Sequence, residues 1–151
     1  MGLFYEDFQV GASVVTRGRT VGEGDISTFA GLVGDHNPLH VDEEFCRGTG
    51  FGQRIAHGPL TMSVAIGLMS QQNLIDGTVI ALLGLEWSFH APVRIGDTIH
   101  AVVTTAEKRD TGRPDRGVVR LGFEVMRQDG VRAQRGVAAL LMRRRGDAAP
   151  A

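Results

Sequence analysis

The segment PLTMSVAIGLMSQQ, residues 59–72, decides the architecture that this sequence predicts. Leu60, Val64 and Leu68 recur every four residues, so they share one side of a predicted helix. Methionines and an isoleucine cover another side, and small residues fill much of the remainder. A helix that is apolar nearly all round is expected inside a fold, not on its surface. Pro59 suits the first helical position, directly after Gly58.

Strand-like segments flank this helix in the sequence. One precedes it, at residues 13–21, and four follow it, at 79–90, 98–109, 117–128 and 131–143. In the segment 117–128, apolar residues alternate with other residues in the period-two pattern of a half-buried strand. Asp129 and Gly130 lie between two of these segments and indicate a hairpin. One buried helix followed by an antiparallel meander predicts an α+β domain in which a curved sheet wraps the helix.

The composition limits the classes of protein that need be considered. The 151 residues are 42% hydrophobic and 22% charged, as in one soluble domain. We expect that domain at residues 1–145 and a flexible tail at 146–151. Seventeen acidic against sixteen basic residues give no basic field for nucleic acid. A single cysteine, Cys46, together with no apolar run of membrane-spanning length and no signal-peptide pattern, indicates a cytoplasmic protein without a membrane partner.

The loop GDHNPLH, residues 34–40, gathers titratable and hydrogen-bonding groups. Pro38 disfavours helical geometry at Asn37, so the motif is predicted to be a loop. A loop bent at the proline can bring Asp35 and His40 to one point. A carboxylate and an imidazole placed together can take and give protons near neutral pH, and Asn37 can fix a side chain or a water between them.

Two other interpretations of this loop remain open. Asp35 can simply cap a turn while His40 is an ordinary buried histidine. Asp35, His36 and His40 also offer ligand types that suit a metal ion. The two histidines share a helix face only if the segment is helical, which Pro38 opposes, and the sequence has no second cluster with ligand spacing. We therefore expect no metal site.

The segment IAHGP, residues 55–59, leads into the buried helix. The first amides of a helix lack internal partners and carry partial positive charge, so the Gly58 N–H could hold a carbonyl oxygen that becomes negative during a reaction. An ordinary helix start also explains the segment. His57 is expected to be structural rather than catalytic. The glycine-rich stretch at 48–52 predicts a flexible connection, because its third glycine comes too early for a dinucleotide-binding fingerprint.

Three blocks of the sequence resemble the MaoC-like dehydratase family, the (R)-specific enoyl-CoA hydratases (hydratase 2). They are GDHNPLH at 34–40, FGQRIAHGPLTMS at 51–63 and WSFHAPVRIGDT at 87–98, and the likeness extends from about Phe8 to Met142. The resemblance implies a single hot-dog domain, with a long central helix wrapped by a curved antiparallel β-sheet. It also implies a homodimer or higher homo-oligomer that binds acyl-CoA along its interface.

The same resemblance implies a reaction and a role for each site residue. The reaction is hydration of trans-2-enoyl-CoA to the (R)-3-hydroxyacyl thioester, or the reverse dehydration, with no cofactor beyond the CoA of the substrate. The implied catalytic pair is Asp35 and His40, the implied supporting residues are Asn37 and Ser63, and the implied ligand of the thioester carbonyl is the Gly58 amide. Cys46 and Pro59 depart from the usual residues of the family, but neither change touches the catalytic pair.

Two rival functions are compatible with the same scaffold. A hot-dog acyl-CoA thioesterase would hydrolyse the thioester, and a non-catalytic partner subunit would bind acyl-CoA without changing it. The paired Asp35 and His40 favour hydration over both. The arginine run at 143–145 could contact CoA phosphates, although a solvated strand end is the favoured expectation.

Overall fold

A computed structural model describes residues 1–146, so the expected tail lies, apart from Gly146, outside the described residues. The helices are α1 (Glu23–Val33), α2 (Pro38–Val41), α3 (Glu43–Arg47) and α4 (Gly58–Ser70), and a 3-10 turn spans Tyr5–Asp7. The strands are β1 (Ser13–Val15), β2 (Arg19–Thr20), β3 (Val79–Phe89), β4 (Thr98–Asp110), β5 (Arg116–Arg127) and β6 (Arg132–Arg143). Within residues 1–146, every helix is too short or too polar to span a membrane.

All six strands form one antiparallel sheet in the order β1-β4-β5-β6-β3, and β2 also pairs with β4. The predicted hairpin between β5 and β6 is confirmed, and Gly130 has the positive φ of +78° that favours glycine in such a turn. The prediction of a four-strand meander is wrong for β3, which pairs with β6 at the far edge. The eight residues between β3 and β4 are long enough to cross to the other side of the sheet, unlike a two-residue hairpin turn.

Helix α4 packs against the concave side of the sheet, and this confirms the α+β architecture. Its buried residues are Leu60, Thr61, Val64, Ala65, Leu68 and Met69. They meet inward-facing side chains of the meander, including Ile99, Leu121 and Phe123. The expectation of burial all round is wrong for the opposite side, where Ser63 is exposed. A single sheet of six strands covers only one side of the helix.

The two edges of the sheet differ in length and in chemistry. The β1 and β2 edge is short and interrupted, and hydroxyl pairs link it to β4: Ser13 with Thr104 and Thr20 with Thr98, each at 2.7 Å between oxygens. The β3 edge is eleven residues long. Its exposed large apolar side chains, between 37% and 55% accessible, are Ile80, Leu82, Leu83, Leu85 and Phe89. A long apolar edge of this kind is one that proteins normally cover.

The N-terminal turn is fastened to the end of the sheet by cations. The Tyr5 ring lies between Lys108 Nζ, 4.5 Å from its centroid, and the guanidinium of Arg144, at 4.4 Å. Arg144 also pairs with Asp110 at 2.7 Å, and Arg145 pairs with Asp7. Two arginines of the run at 143–145 therefore neutralise acidic groups of their own domain.

Candidate active site

The candidate catalytic segment, residues 34–41, begins where α1 ends. Gly34 adopts a left-handed conformation with φ +78°, which favours glycine, and its N–H donates to Ala30 O. The chain then runs irregularly to Asn37, whose side-chain oxygen accepts the Leu39 N–H at 3.0 Å and so caps α2. The loop prediction is thus right for 34–37 and wrong for 38–40. Proline disfavours helix at the residue before it, but its fixed φ suits the first position of a helix.

Asp35 and His40 converge at this bend. His40 Nε2 lies 3.9 Å from Asp35 Oδ2, and the side chains are 12% and 51% exposed respectively. This separation exceeds that of a direct hydrogen bond and suits a bridging water. Asp35 Oδ1 accepts the Asn37 N–H at 3.2 Å, which leaves Oδ2 turned toward the histidine. The arrangement presents two proton acceptors to one solvent-accessible point.

The tautomer of His40 follows from its second ring nitrogen. Nδ1 lies 2.8 Å from Ile55 O. A carbonyl oxygen can only accept, so Nδ1 carries the hydrogen and, in the neutral ring, Nε2 carries the lone pair that faces Asp35. The Ile55 N–H in turn donates to Leu39 O at 3.1 Å. The two motifs that the sequence separates by fifteen residues are therefore joined side by side.

His57 lies directly behind the pair. Its ring stacks on that of His40, with centroids 3.7 Å apart and 27° between planes, and Phe29 packs on it at 5.0 Å. His57 Nε2 lies 3.0 Å from Asp35 O, and the residue is 1% exposed. Among the described residues, Nδ1 is buried and has no hydrogen-bond partner. From the sequence, His57 is expected to be structural, and only the tertiary contact between the two motifs places its ring against Asp35 and His40.

Asp35, His40 and His57 carry ligand types that suit a metal ion. One such atom from each residue lies within 4.8 Å of the others. From the sequence, the possible third ligand was His36 and not His57, but His36 is exposed and lies outside this group. Stacked rings direct their in-plane lone pairs along neighbouring planes and do not aim them at one centre. His40 Nδ1 and His57 Nε2 are bonded to carbonyl oxygens, which leaves His40 Nε2 and His57 Nδ1 as the ring nitrogens with open lone pairs. The stacking of the two rings does not suit the binding of one ion by both of these nitrogens.

Gly58 begins α4 next to this cluster, with His57 as the capping residue. Its N–H is used in none of the hydrogen bonds found within residues 1–146. Its carbonyl accepts from Gln134 Nε2 at 3.0 Å, and Gln134 Oε1 accepts from Trp87 Nε1 at 2.9 Å. The Phe89 ring covers Gly58 so closely that a Cβ there would lie 2.8 Å from it. A side chain at this position would have to displace the Phe89 ring, and the bond from Gln134 links the helix start to the sheet.

A mainly apolar cavity of about 450 Å³ opens beside Gly58. Residues Ile55, Phe89 and Gln134 contribute to its wall. Ile55, whose carbonyl oxygen accepts from His40 Nδ1, lines this cavity, whereas Asp35 and His40 do not. Ile55 therefore links the cavity to the segment that carries His40.

Hydrogen bonds of Arg54 and Cys46 hold the helices around the candidate catalytic segment in place. Arg54 donates to Glu23 of α1 at 2.8 Å and to Glu43 of α3 at 3.2 Å, and the pKa of Arg54 is raised first by the hydrogen bond with Glu23. Cys46 is fully buried with its sulfur 3.4 Å from Pro38 O, and burial raises the pKa of its thiol. These contacts hold α1, α2 and α3 together around the loop.

Ser63 stands apart from these contacts. It is exposed on α4, and its hydroxyl donates to Pro59 O at 2.8 Å. No hydrogen bond in the described part of the chain joins it to Asp35 or His40. Of the residues singled out by the sequence, the structure therefore clusters Asp35, His40 and Asn37 and places Gly58 next to His57. Ser63 is exposed on α4 and bonds to Pro59 O.

Comparisons with known proteins show which family this sequence matches. A family model described as "MaoC like domain" matches residues 7–125. An (R)-specific enoyl-CoA hydratase of Rhodospirillum rubrum is 40% identical over 101 residues, which are 67% of this chain and 68% of that protein. A 3-hydroxybutyryl-CoA dehydratase of Methylorubrum extorquens is 34% identical over 105 residues, which are 70% of this chain and 65% of that protein. The match thus spans just under two thirds of the second relative.

The structural matches to solved proteins cover almost the whole chain. One is described as a monoamine oxidase regulatory protein from Archaeoglobus fulgius, with a TM-score of 0.89, 39% identity and 95% coverage of both chains. Another, a Mycobacterium tuberculosis protein described as a double hotdog fold, has a TM-score of 0.84 at 24% identity and covers 99% of this chain and 47% of that one. The second likeness concerns the fold alone, and it confirms the hot-dog architecture.

Proposed function

Because the chain belongs to the MaoC-like domain family and has its hot-dog fold, we propose that it is a hydro-lyase acting on acyl-CoA. It adds water to a trans-2-enoyl-CoA and gives the (R)-3-hydroxyacyl thioester, or catalyses the reverse dehydration. The relatives named as an enoyl-CoA hydratase and a 3-hydroxybutyryl-CoA dehydratase support the reaction class. The observation that carries the proposal is the 3.9 Å separation of His40 Nε2 from Asp35 Oδ2 at a solvent-accessible point.

In the proposed mechanism one water binds between Asp35 Oδ2 and His40 Nε2. Asp35 takes a proton from this water as the water oxygen bonds to the β-carbon. His40 holds the water through the lone pair of its Nε2. The electron pair of the double bond moves toward the thioester oxygen, which the Gly58 N–H stabilises. A proton then returns from the pair to the α-carbon. The elements H and OH have been added across the double bond, and the side chains regain their starting states.

The cavity beside Gly58 is the proposed compartment for the acyl chain. Its lining is largely apolar, and it shares Ile55 with the wall behind His40. An acyl group seated there would direct its thioester carbonyl toward the first amide of α4. The Asp35–His40 pair would then face the double bond from the neighbouring candidate catalytic segment.

The assignment is tested with Asp35→Asn and His40→Gln on short enoyl-CoA thioesters, followed by the loss of enoyl absorbance. We expect each variant to lose about 10²–10⁴ in turnover, equivalent to roughly 3–5 kcal/mol of transition-state stabilisation. His36→Gln is the matched control, because His36 is an exposed histidine of the same segment outside the pair. Near-normal turnover in both site variants would defeat the assignment.

The same assay separates the rival functions. A thioesterase would release free CoA thiol from a saturated acyl-CoA, whereas a hydro-lyase would leave that thioester intact. The structural neighbour described as a regulatory protein makes a non-catalytic role the second candidate. Binding of acyl-CoA by the wild-type protein with no change in any enoyl thioester would favour that role.

We further propose that a second copy of the chain covers the β3 edge. The edge exposes Leu82, Leu83 and Leu85 along a strand with one free side. Pairing two such edges across a two-fold axis would satisfy the backbone groups and bury the apolar side chains together. Phe89 belongs to β3 and also covers Gly58, so a partner seated there would adjoin the acyl cavity.

Sedimentation of the wild type and of edge variants tests this assembly. We expect the wild type to sediment as a dimer or larger oligomer, and the double variant Leu83→Lys with Leu85→Lys to sediment as a monomer. Val15→Lys is the control, since Val15 is an even more exposed apolar residue on the opposite edge. The proposal would be contradicted if the wild type sedimented as a monomer, or if the edge variant sedimented as the same oligomer as the wild type.

A further inference from the structure

We propose that His57 is a positioning residue for the Asp35–His40 pair, an inference that rests on the proposed function of that pair. His57 contacts both members from behind: it bonds to the backbone of Asp35 and stacks on the ring of His40. His57 is 1% exposed, so substrate reaches the half-exposed Asp35 side chain and not the His57 ring. Its action is therefore on the geometry of the pair and not on substrate.

The first contact fixes the main chain of Asp35. His57 Nε2 lies 3.0 Å from Asp35 O, and since a carbonyl oxygen only accepts, Nε2 carries the hydrogen and donates it. Asp35 lies in the short irregular stretch between α1 and α2, so few repeating backbone bonds hold it. This donor links that stretch to the residue that caps α4. The position of the carboxylate thus depends on a group twenty-two residues away.

The second contact fixes the ring of His40. The bond from Nδ1 to Ile55 O sets the rotation of the imidazole within its plane, and stacking on His57 at 3.7 Å limits its tilt out of that plane. Phe29 packs on the His57 ring at 5.0 Å and keeps it from moving aside. The direction of the Nε2 lone pair is determined only when both restraints are present.

The chemistry of the side chain explains why both restraints need a histidine. Phenylalanine supplies a flat ring without an in-plane donor, and glutamine supplies a donor at similar reach without a ring. The cost of histidine is also visible, because within the described residues Nδ1 is buried and unpartnered. A position that served packing alone would not need a nitrogen there, so the benefit must come from Nε2.

The two restraints can be removed one at a time. His57→Phe keeps the stack and loses the donor, His57→Gln keeps a donor and loses the stack, and His57→Leu loses both. We expect kcat to fall about tenfold to a hundredfold in the phenylalanine and glutamine variants and further in the leucine variant, as for other residues that orient catalytic groups. KM should stay within about threefold, because substrate contacts are intact.

Amide hydrogen exchange gives a readout that needs no substrate. The Asn37 N–H donates to Asp35 Oδ1, so it reports whether Asp35 is held in place. We expect this amide to exchange faster in His57→Phe and His57→Leu and at the wild-type rate in His57→Gln. Unchanged exchange at core amides such as that of Val125 would show that the variants are folded.

Each outcome bears on a different claim. If the wild type turns over no enoyl thioester, the proposed function fails, while the exchange rates still judge His57. Wild-type kcat in His57→Phe, or unchanged exchange at Asn37 in that variant, would overturn the positioning role of the donor. If the phenylalanine variant does not fold, wild-type kcat in His57→Gln would overturn the role of the stack.

Discussion

Phe123 and Asp35 illustrate the two kinds of region in this protein. Phe123 is 1% exposed in the middle strand of the meander, where it packs against Trp87 at 5.3 Å between ring centroids. The Asp35 side chain is 51% exposed in a loop that single hydrogen bonds hold in place. Burial of apolar surface stabilises the first region, and directional polar contacts define the second.

This difference separates stability from chemistry along the chain. The sheet and the buried face of α4 provide most of the favourable burial, and none of the proposed catalytic side chains belongs to that core. The candidate catalytic segment adds little apolar burial, since its residues from 34 to 38 are all exposed. Substitutions in the two regions should therefore have effects that differ in kind.

The largest expected effect on stability comes from the core. Phe123→Ala should lower the free energy of unfolding by about 3–5 kcal/mol, because it removes a fully buried ring and leaves a cavity. Denaturant titration measures the change. Phe45→Ala, at a phenylalanine that is 49% exposed, is the matched control and should cost far less. Asp35→Asn should stay within about 0.5 kcal/mol of wild type while losing turnover, and a large loss of stability there would break the separation.

A smaller effect is expected where the two regions meet, at Gln134. This buried side chain links Trp87 of the sheet to the carbonyl of Gly58 at the start of α4. Gln134→Leu should cost about 1–3 kcal/mol of stability, since it leaves the indole N–H without its acceptor. It should also raise KM for enoyl-CoA, because the helix start is no longer fixed. Gln71→Leu, at an exposed glutamine, is the control and should change neither quantity.

The cap of α2 should have an effect of about 1 kcal/mol or less. Asn37→Ala removes the acceptor of the Leu39 N–H, whereas Asn37→Ser supplies another cap of similar quality. We expect faster amide exchange at Leu39 and a lower kcat in the alanine variant, because α2 carries His40. Equal exchange and equal kcat in the two variants would show that the cap does not set the site.

The weakest dependence is expected for pH, through the ion pairs at the ends of the sheet. The hydrogen bond from Arg145 lowers the pKa of Asp7, and that from Arg127 lowers the pKa of Asp129. A lowered folded-state pKa gives stability that is present above the ordinary carboxyl pKa of about 3.9 and is lost as pH falls through the folded value. The thermal midpoint of unfolding should therefore fall as the pH is lowered below about 4. Asp7→Asn should lower the midpoint at pH 7 and much less at pH 2, and equal shifts would contradict this.

The sequence predicted the core more completely than the site. Alternating residues in β5 and the four-residue repeat in α4 report burial directly, because each regular element turns its side chains at a fixed period. The Asp-Gly hairpin was local in the same way. The path of β3 was not, because no local rule states which edge a strand joins after an eight-residue connection. The exposed leucines of β3 form an apolar run, and such a run occurs both in buried strands and at uncovered edges.

Local sequence patterns were enough to predict an α+β domain built on one buried helix, and a loop that holds a carboxylate and an imidazole near a proline bend. These features depend on neighbours within a few positions along the chain. The contacts of Ile55 and His57 with this loop, which set the tautomer of His40 and the position of Asp35, exist only in the folded chain. They join residues fifteen or more positions apart, so no local periodicity or spacing encodes them. The 3.9 Å between His40 Nε2 and Asp35 Oδ2 follows from these contacts.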